Sequence, residues 1–436
     1  MHVRRRFAYA VHIVLLGIVF LGGPNAARAG TPTPVELLGM IADNPRLAMA
    51  HAASDIARAH LQAARSALRP HIVFSADAKR FQSMLQAETR TSDVVGRLEV
   101  VQPIYDFGRS FSGIDAAAAD ARAQQASALD VRNTLMLEGL ALYYELHASD
   151  LDVQALHEDN TIAFFQATRL AEKDAIGEAN PIEVIDLRGK AEHARYILYN
   201  ARGKNRELRL RLYELTGVSF DETTLTPSPP DQAAFEVDAD KVLAQAEKGL
   251  PVLDALRLHK QSFTARQDAV GLTPRIEAYG RLNESTRNLR GRDDWALGAR
   301  LVVPLYEGGA RQATRARLGA EARRVEAEIE TRRRALRREV HVAVLARSNS
   351  LLRIGAARTA YKATRQRLYL EQLQRSQDRQ ASVGGMSARL THLEAELVRA
   401  IGAYHVAGAH LAALMGLHPS DSFKPNFLED MKVAAE

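Results

Sequence analysis

Four short stretches of the chain alternate between apolar and polar side chains with a period of two, the spacing of a β-strand. In the first, Ile72, Phe74, Ala76 and Ala78 point one way and His71, Ser75, Asp77 and Lys79 the other. In the second, Val94, Gly96, Leu98 and Val100 oppose Arg97 and Glu99. In the third, Ile276, Ala278, Gly280 and Leu282 oppose Arg275, Glu277, Tyr279 and Arg281. In the last, Trp295, Leu297, Ala299, Leu301 and Val303 oppose Arg300. The alternation predicts strands over residues 70–80, 93–102, 274–283 and 294–303. Such segments fit a membrane barrel with its apolar face outward, and they fit equally two hairpins of a soluble sheet. Trp295 opens the last strand, where an interfacial aromatic would sit. The joining segments 82–93 and 283–294 are polar and suit loops in water.

Between the strands the pattern changes to a helical one. Residues 110–176 and 310–383 contain no proline. Each would make a helix of roughly 100 Å at 1.5 Å per residue. Helices that long need a lengthwise partner for their apolar stripe. Part of a heptad seam is visible in Leu135, Leu142, Leu146, Val153 and Leu156, with Gly139 and Ser149 in the other slots. In the second stretch Ile354, Tyr361 and Leu368 fall seven apart. Taken alone, these helices also suit a long coiled coil without a channel. Each long helix is expected to turn back, at Gly177-Glu178-Ala179-Asn180-Pro181 and at Val383-Gly384-Gly385-Met386-Ser387. Glycine closes a helix, and Asn180 or Ser387 caps the next. Return helices follow over 181–216 and 387–415, and further helices over 34–68 and 240–270 precede the strands.

The chain states this plan twice. Val101-Gln102-Pro103-Ile104-Tyr105-Asp106-Phe107-Gly108 returns 201 residues later as Val302-Val303-Pro304-Leu305-Tyr306-Glu307-Gly308-Gly309. Leu68-Arg69-Pro70-His71-Ile72 likewise returns as Leu272-Thr273-Pro274-Arg275-Ile276. A period this long marks a duplicated domain rather than a solenoid. The division is a leader (1–29), a first repeat (30–226), a proline-rich linker (227–238), a second repeat (239–417) and a tail (418–436). Two repeats give four strands. The smallest membrane barrels have eight, and lipid does not tolerate open sheet edges. If the strands span a membrane, the protein must oligomerise.

Composition adds a compartment. Arg4-Arg5-Arg6, the short apolar run 11–21 and Ala27-Arg28-Ala29 have the form of a cleaved export signal. There is no cysteine, hence no disulfide and no acylation site of the lipoprotein kind. The formal charge of +6 falls to +2 once the four arginines of the leader are removed. The basic balance therefore says little about an anionic partner. Arg332-Arg333-Arg334 with Arg337-Arg338 lacks interleaved aromatics, and Glu328 and Glu330 stand four residues before Arg332 and Arg334. A solvated helix face explains that run better than nucleic acid. No His-Glu-x-x-His, phosphate-binding loop or Gly-x-Ser-x-Gly occurs. No catalytic residue, cofactor or metal site is expected.

The whole mature chain resembles the TolC-like outer membrane efflux proteins. The motifs carrying the resemblance are the two segments Val101–Gly108 and Val302–Gly309, which look like that family's boundary between strand and long helix. Pro103, Gly108, Pro304, Gly308 and Gly309 fall at its fixed positions. The resemblance implies a mainly α fold with a small β part. It implies a homotrimer whose twelve strands form one barrel in outer membrane lipid above a periplasmic helical coiled-coil tunnel. The function implied is a passive duct for efflux or type I secretion, with a periplasmic adaptor (membrane fusion protein) and an inner membrane pump of RND or ABC type as partners. The alternative is a soluble periplasmic coiled-coil scaffold. By resemblance the tip turns, Gly177 to Asn180 and Val383 to Ser387, dock the adaptor and close the tunnel.

At the tip the chain departs from the family. Well-known members carry acids at the sixth and ninth residues after the second-turn glycine, where this chain has Leu390 and Leu393. The matching places after Gly177 are Glu183 and Asp186, which are also ordinary first-turn acids. Apolar rings gate by steric closure and dewetting rather than by holding cations. Multivalent cations are therefore expected to block the reconstituted channel only weakly. Strong block that survives neutralisation of Glu183 and Asp186 in conductance recordings would contradict this.

Overall fold

A computed structural model describes residues 32–82, 90–220, 237–271, 274–285, 293–375, 383–424 and 427–428. The expected leader, nearly all of the linker and most of the strand-joining loops lie outside these residues. The order is α1 (Pro34–Met40), a 3-10 turn (Ile41–Asp43), α2 (Pro45–Ser66), β1 (His71–Gln82), β2 (Arg90–Tyr105), α3 (Arg109–Ala175) and α4 (Pro181–Thr216). The second repeat gives α5 (Ala239–Gly249), α6 (Pro251–Ala269), β3 (Arg275–Ser285), β4 (Trp295–Val302), α7 (Ala310–Arg375), α8 (Val383–Leu414) and a 3-10 turn (Pro419–Phe423). The fold is mainly helical with one small sheet.

The two helices expected before the strands are each broken at a proline. Asn44 and Leu250 precede Pro45 and Pro251 and take extended backbone with ψ of 132° and 117°. Proline's ring disfavours the helical conformation in the residue before it, and proline itself is well placed to start the next helix. Asn44 turns the break to use. Its Oδ1 accepts the Arg46 N–H at 2.8 Å, and its Nδ2 donates to the Leu215 carbonyl at 2.9 Å.

Two other expectations are corrected. Pro103 does not end its strand: β2 runs on to Tyr105 through a register shift between Pro103 and Tyr105. Beyond Val101 the strand has β3 as neighbour but no longer β1, so an absent N–H is tolerated there. Pro304, by contrast, does lie beyond the end of β4. The second turn is also misplaced in the sequence-based expectation. Val383, Gly384, Gly385, Met386 and Ser387 lie in the first turns of α8, α7 is described to Arg375, and residues 376–382 lie outside the described residues. Glycine marks helix ends on average, but two glycines do not stop a helix held by its neighbours. Although α8 from Gly385 to Leu414 is apolar enough to cross a bilayer, most of it is buried within the protein. It is a core helix.

The strand-to-helix elbow needs consecutive left-handed residues. The second repeat meets this with Gly308 (φ 62°) and Gly309 (φ 85°), whereas the first uses Phe107 (φ 57°) and Gly108 (φ 87°). A bulky residue there is strained. The Phe107 ring packs edge-on against Tyr105 at 4.7 Å, and Asp106 caps α3 by accepting the Ser110 N–H at 2.8 Å.

The sheet order is β1-β2-β3-β4, antiparallel throughout. Beneath it the helices pack in the same order, α2 on α3, α3 on α6, α6 on α7. Further down, α4 and α8 take the places of α2 and α6. The break at Asn44 joins α2 to the end of α4, and Gly249 meets Met415 where α8 gives way to α6. The result is a wall four helices wide in which α3 is flanked on both sides. One core gathers Leu37, Leu38, Ile41, Leu135, Leu146, Leu212 and Ile401; a second gathers Val242, Leu253, Ile329, Leu336 and Leu411. Of the expected seam, Leu135, Gly139, Leu142, Leu146 and Ser149 are buried. Val153 and Leu156 are only half-buried, and Ala155 is buried instead.

Contact between α3 and α8 is closest at Gly402, where a methyl group would meet Tyr144 Cβ at 2.4 Å and Cγ at 2.6 Å. Gly402→Ala should therefore force the helices apart at about 1–3 kcal/mol, as overpacking does. A denaturation midpoint unchanged from that of the parent protein would contradict this packing.

Candidate functional site

Two regions carry the expected function, the sheet and the far end of the helices. In the sheet, directly paired residues share a face. Ile72, Phe74, Ala76 and Ala78 stand opposite Val100, Leu98, Gly96 and Val94. The row continues through Gly280 and Leu282 to Leu297 and Trp295. This face is apolar across all four strands and uncovered: Phe74, Leu297 and Trp295 are 71 %, 78 % and 69 % exposed. Trp295 begins β4, as the alternation predicts.

The other face is a ladder of charges. Arg281 pairs with Glu99 at 3.2 Å, and Arg300 and Arg275 both bond to Glu277, at 2.6 Å and 2.9 Å. Arg97 bonds to Asn283 Oδ1 at 3.4 Å, and Ser285 donates to Asp93 at 3.0 Å. The Tyr279 ring lies over Gly298 and has the guanidiniums of Arg281 and Arg300 each 5.9 Å from its centre. The cross-strand pairs were not legible in the sequence, because they depend on register between repeats.

The helices are tied by a second set of ion pairs centred on α3, which has eleven acids against five bases. Asp150 accepts from Arg209 at 2.5 Å and Asn205 at 2.7 Å on α4. Glu145 pairs with Lys204 on α4 and Arg399 on α8, both at 3.2 Å. Asp152 bonds to Arg399 and to His392. Higher up, α6 reaches α3 through His259 and Arg266, both on Asp120. Burial works to raise the Asp120 carboxyl, but the bond from His259 and the charge of Arg266 help hold it below its usual range. Sequence reasoning missed this acidic column. The surplus of acid on α3 beside eight bases on α4 was its available signal. On α7, Arg333 pairs with Glu330 at 2.6 Å and Arg332 with Glu339 at 2.7 Å. These are local helix-face partners, though not the pairs spacing suggested.

At the far end the first turn is as expected. Gly177 (φ 78°) ends α3 with its N–H on the Asp174 carbonyl, and the Glu178 N–H reaches the Lys173 carbonyl, both at 2.9 Å. This is the glycine-closed helix end that satisfies orphan carbonyls. Ala179 follows, and Asn180 Oδ1 then accepts the Ile182 N–H at 3.0 Å to start α4. Glu183 and Asp186 are exposed, and Asp186 pairs with Lys190 at 2.8 Å. Ile176, Ile182 and Ile185 are exposed beside them. A groove between α3 and α4 runs past Leu156, Ile185, Gly189, His193 and Ile197. Leu390 and Leu393 on α8 are half-buried and are not brought beside Glu183 and Asp186 by any described contact.

One titratable group is held out of water at the middle of the wall. His405 on α8 is stacked between Tyr144, at 5.7 Å, and Phe423 of the C-terminal segment, at 5.0 Å. Burial pushes its pKa down to about 4. The tail is thus partly docked: Leu428 is buried in the second core.

Among the described residues there is no group of metal-ligating side chains. The family model for outer membrane efflux proteins matches residues 39–218. No curated protein matches the chain. Among solved structures, the Campylobacter jejuni CmeC outer membrane channel is similar with a TM-score of 0.71 at 16 % identity, over 92 % of this chain and 89 % of that one. The outer membrane protein VceC from Vibrio cholerae gives 0.67 at 15 % identity, over 88 % and 96 %. The open state of the Neisseria gonorrhoeae MtrE outer membrane channel gives 0.64 at 17 % identity, over 89 % and 90 %.

Because a histidine kept neutral by folding must take up a proton in acid, the sign of the pH effect at His405 is fixed. The stability it contributes is complete above the unfolded value near 6.5 and is lost as pH falls toward about 4. His405→Gln should flatten the melting temperature between these limits, a difference on the order of 2–3 kcal/mol. An identical pH profile in the variant would contradict the burial described.

Proposed function

We propose that the chain is an outer membrane efflux protein, on the family match to residues 39–218 and the fold it shares with such channels, and that three copies close one duct from the periplasm to the exterior. The protein lies in the outer membrane and extends into the periplasm. It is a transport channel, not an enzyme.

The observation carrying the proposal is the sheet. One face is apolar and exposed, the other is a polar ladder of ion pairs, and β1 and β4 are its two edges. An apolar face of this kind is stable in lipid, but its edges are not, since the bilayer offers no hydrogen bonds to their backbone. Pairing β4 of one copy with β1 of the next would supply them three times over, giving twelve strands. The helical wall below each sheet would then close into a tunnel.

Passage is passive in this proposal. Energy and cargo choice would come from an inner membrane pump of RND or ABC type, coupled through a periplasmic adaptor. The adaptor would dock at the far end of the wall, on the turn from Gly177 to Asn180, its exposed isoleucines and the α3–α4 groove. The first turns of α8, Val383 to Ser387, would flank that surface. Glu183 and Asp186, or Leu390 and Leu393, would form the constriction. The pairing of Asp186 with Lys190 offsets part of the acidity there, which favours closure by apolar contact.

Ala299→Arg, on the same apolar face and deeper than Trp295, should abolish assembly in the outer membrane, because an arginine facing lipid costs up to about 2–4 kcal/mol in each copy. Ser75→Arg, on the opposite face, should leave a heat-sensitive oligomer in that membrane. Equal tolerance of both, judged by fractionation and unheated electrophoresis, would contradict the assignment of the two faces.

A further inference from the structure

The polar face of the sheet carries five cations, Lys79, Arg97, Arg275, Arg281 and Arg300, against four carboxylates. They are sorted by height. Register puts Asp77, Lys79 and Asp93 toward the hairpin end, and Arg275, Glu277 and Arg300 toward the helices. They are sorted by depth as well. Arg275 and Arg300 grip the same carboxylate, yet their side chains stay 52 % and 46 % exposed while that of Glu277 is only 11 % exposed. The acid lies beneath two guanidiniums. Further toward the hairpin end, beyond the level of Arg281 and Glu99, Arg97 bonds to the neutral amide oxygen of Asn283, so that contact leaves its charge in place.

We propose that this arginine belt makes the barrel passage favour anionic solutes. The inference rests on the channel reading and adds a charge class to it. In a three-fold assembly the lowest level would hold six guanidiniums over three covered carboxylates. An ion in the passage meets the exposed positive charges at shorter range than the negative ones, and like charge raises the energy of a cation there while lowering that of an anion. Tyr279, in contact range of both Arg281 and Arg300, helps keep the guanidiniums on the wall.

The test is the reversal potential of the reconstituted protein across a potassium chloride gradient at low ionic strength, about 0.01 M, where screening acts only beyond about 30 Å. Neutralising the belt, by Arg275→Gln with Arg300→Gln, should shift the reversal potential away from the chloride limit. Glu277→Gln should shift it the opposite way, toward chloride, which a merely damaged channel would not do. Arg97→Gln should act as the first pair does and leaves the Glu277 cluster intact. Unheated electrophoresis confirms that each variant assembles. Assembled variants whose reversal potentials match the parent's, or shift in the reverse order, would overturn the belt while leaving the channel standing. Absence of any conductance from the assembled parent protein would overturn the channel reading, and the belt with it.

Discussion

Backbone hydrogen bonding is the constraint on which the rest of this protein depends. Four strands, tilted and paired in order, make a sheet whose interior groups are satisfied and whose two margins are not. In water such margins are tolerable; in hydrocarbon each unsatisfied group is costly. The uncovered apolar row from Phe74 to Trp295 is stable only away from water, so the same surface that demands lipid also demands neighbours for β1 and β4. Three-fold closure, as proposed, meets both needs with a single repeated contact.

The helices answer a related problem. A helix of 67 residues has little stability alone and must be supported along its length. Here α3 is supported on both sides, by α2 and α4 on one flank and by α6 and α8 on the other. Apolar packing dominates near the middle, around Leu135 to Leu146, while below it the contacts become ionic. Half-buried pairs such as Arg209 with Asp150 fix register more than they stabilise, because desolvation offsets much of the attraction. A wall held by such pairs toward its far end and by packed leucines at its middle is better suited to opening at that end.

The two halves of the chain are similar in plan and different in detail. The elbow uses two glycines in the second repeat and a strained Phe107 with Gly108 in the first. Pro103 sits inside a strand and Pro304 outside one, because β2 has a neighbour beyond the point where β1 stops and β4 has none. The misplaced second turn is another such detail. Gly384 and Gly385 carry a strong local signal, yet both lie within α8.

The sequence by itself determined the periodicities. Strands of period two, proline-free helical runs and a repeat offset of 201 residues were enough for the type and order of the main elements, and nearly for the ends of α3 and α4, though not for the breaks at Pro45 and Pro251. It also determined which sheet face is apolar, since alternation alone decides that. Tertiary structure alone decided what depends on distance between remote segments. The cluster of Glu277 with Arg275 and Arg300 needs two strands in register, Asp150 with Arg209 needs α4 laid along α3, and His405 between Tyr144 and Phe423 needs the tail folded back. Periodicity is a property of neighbours in sequence and can be read along the chain. Charge pairing and burial are properties of neighbours in space, and no local pattern encodes which residues those will be.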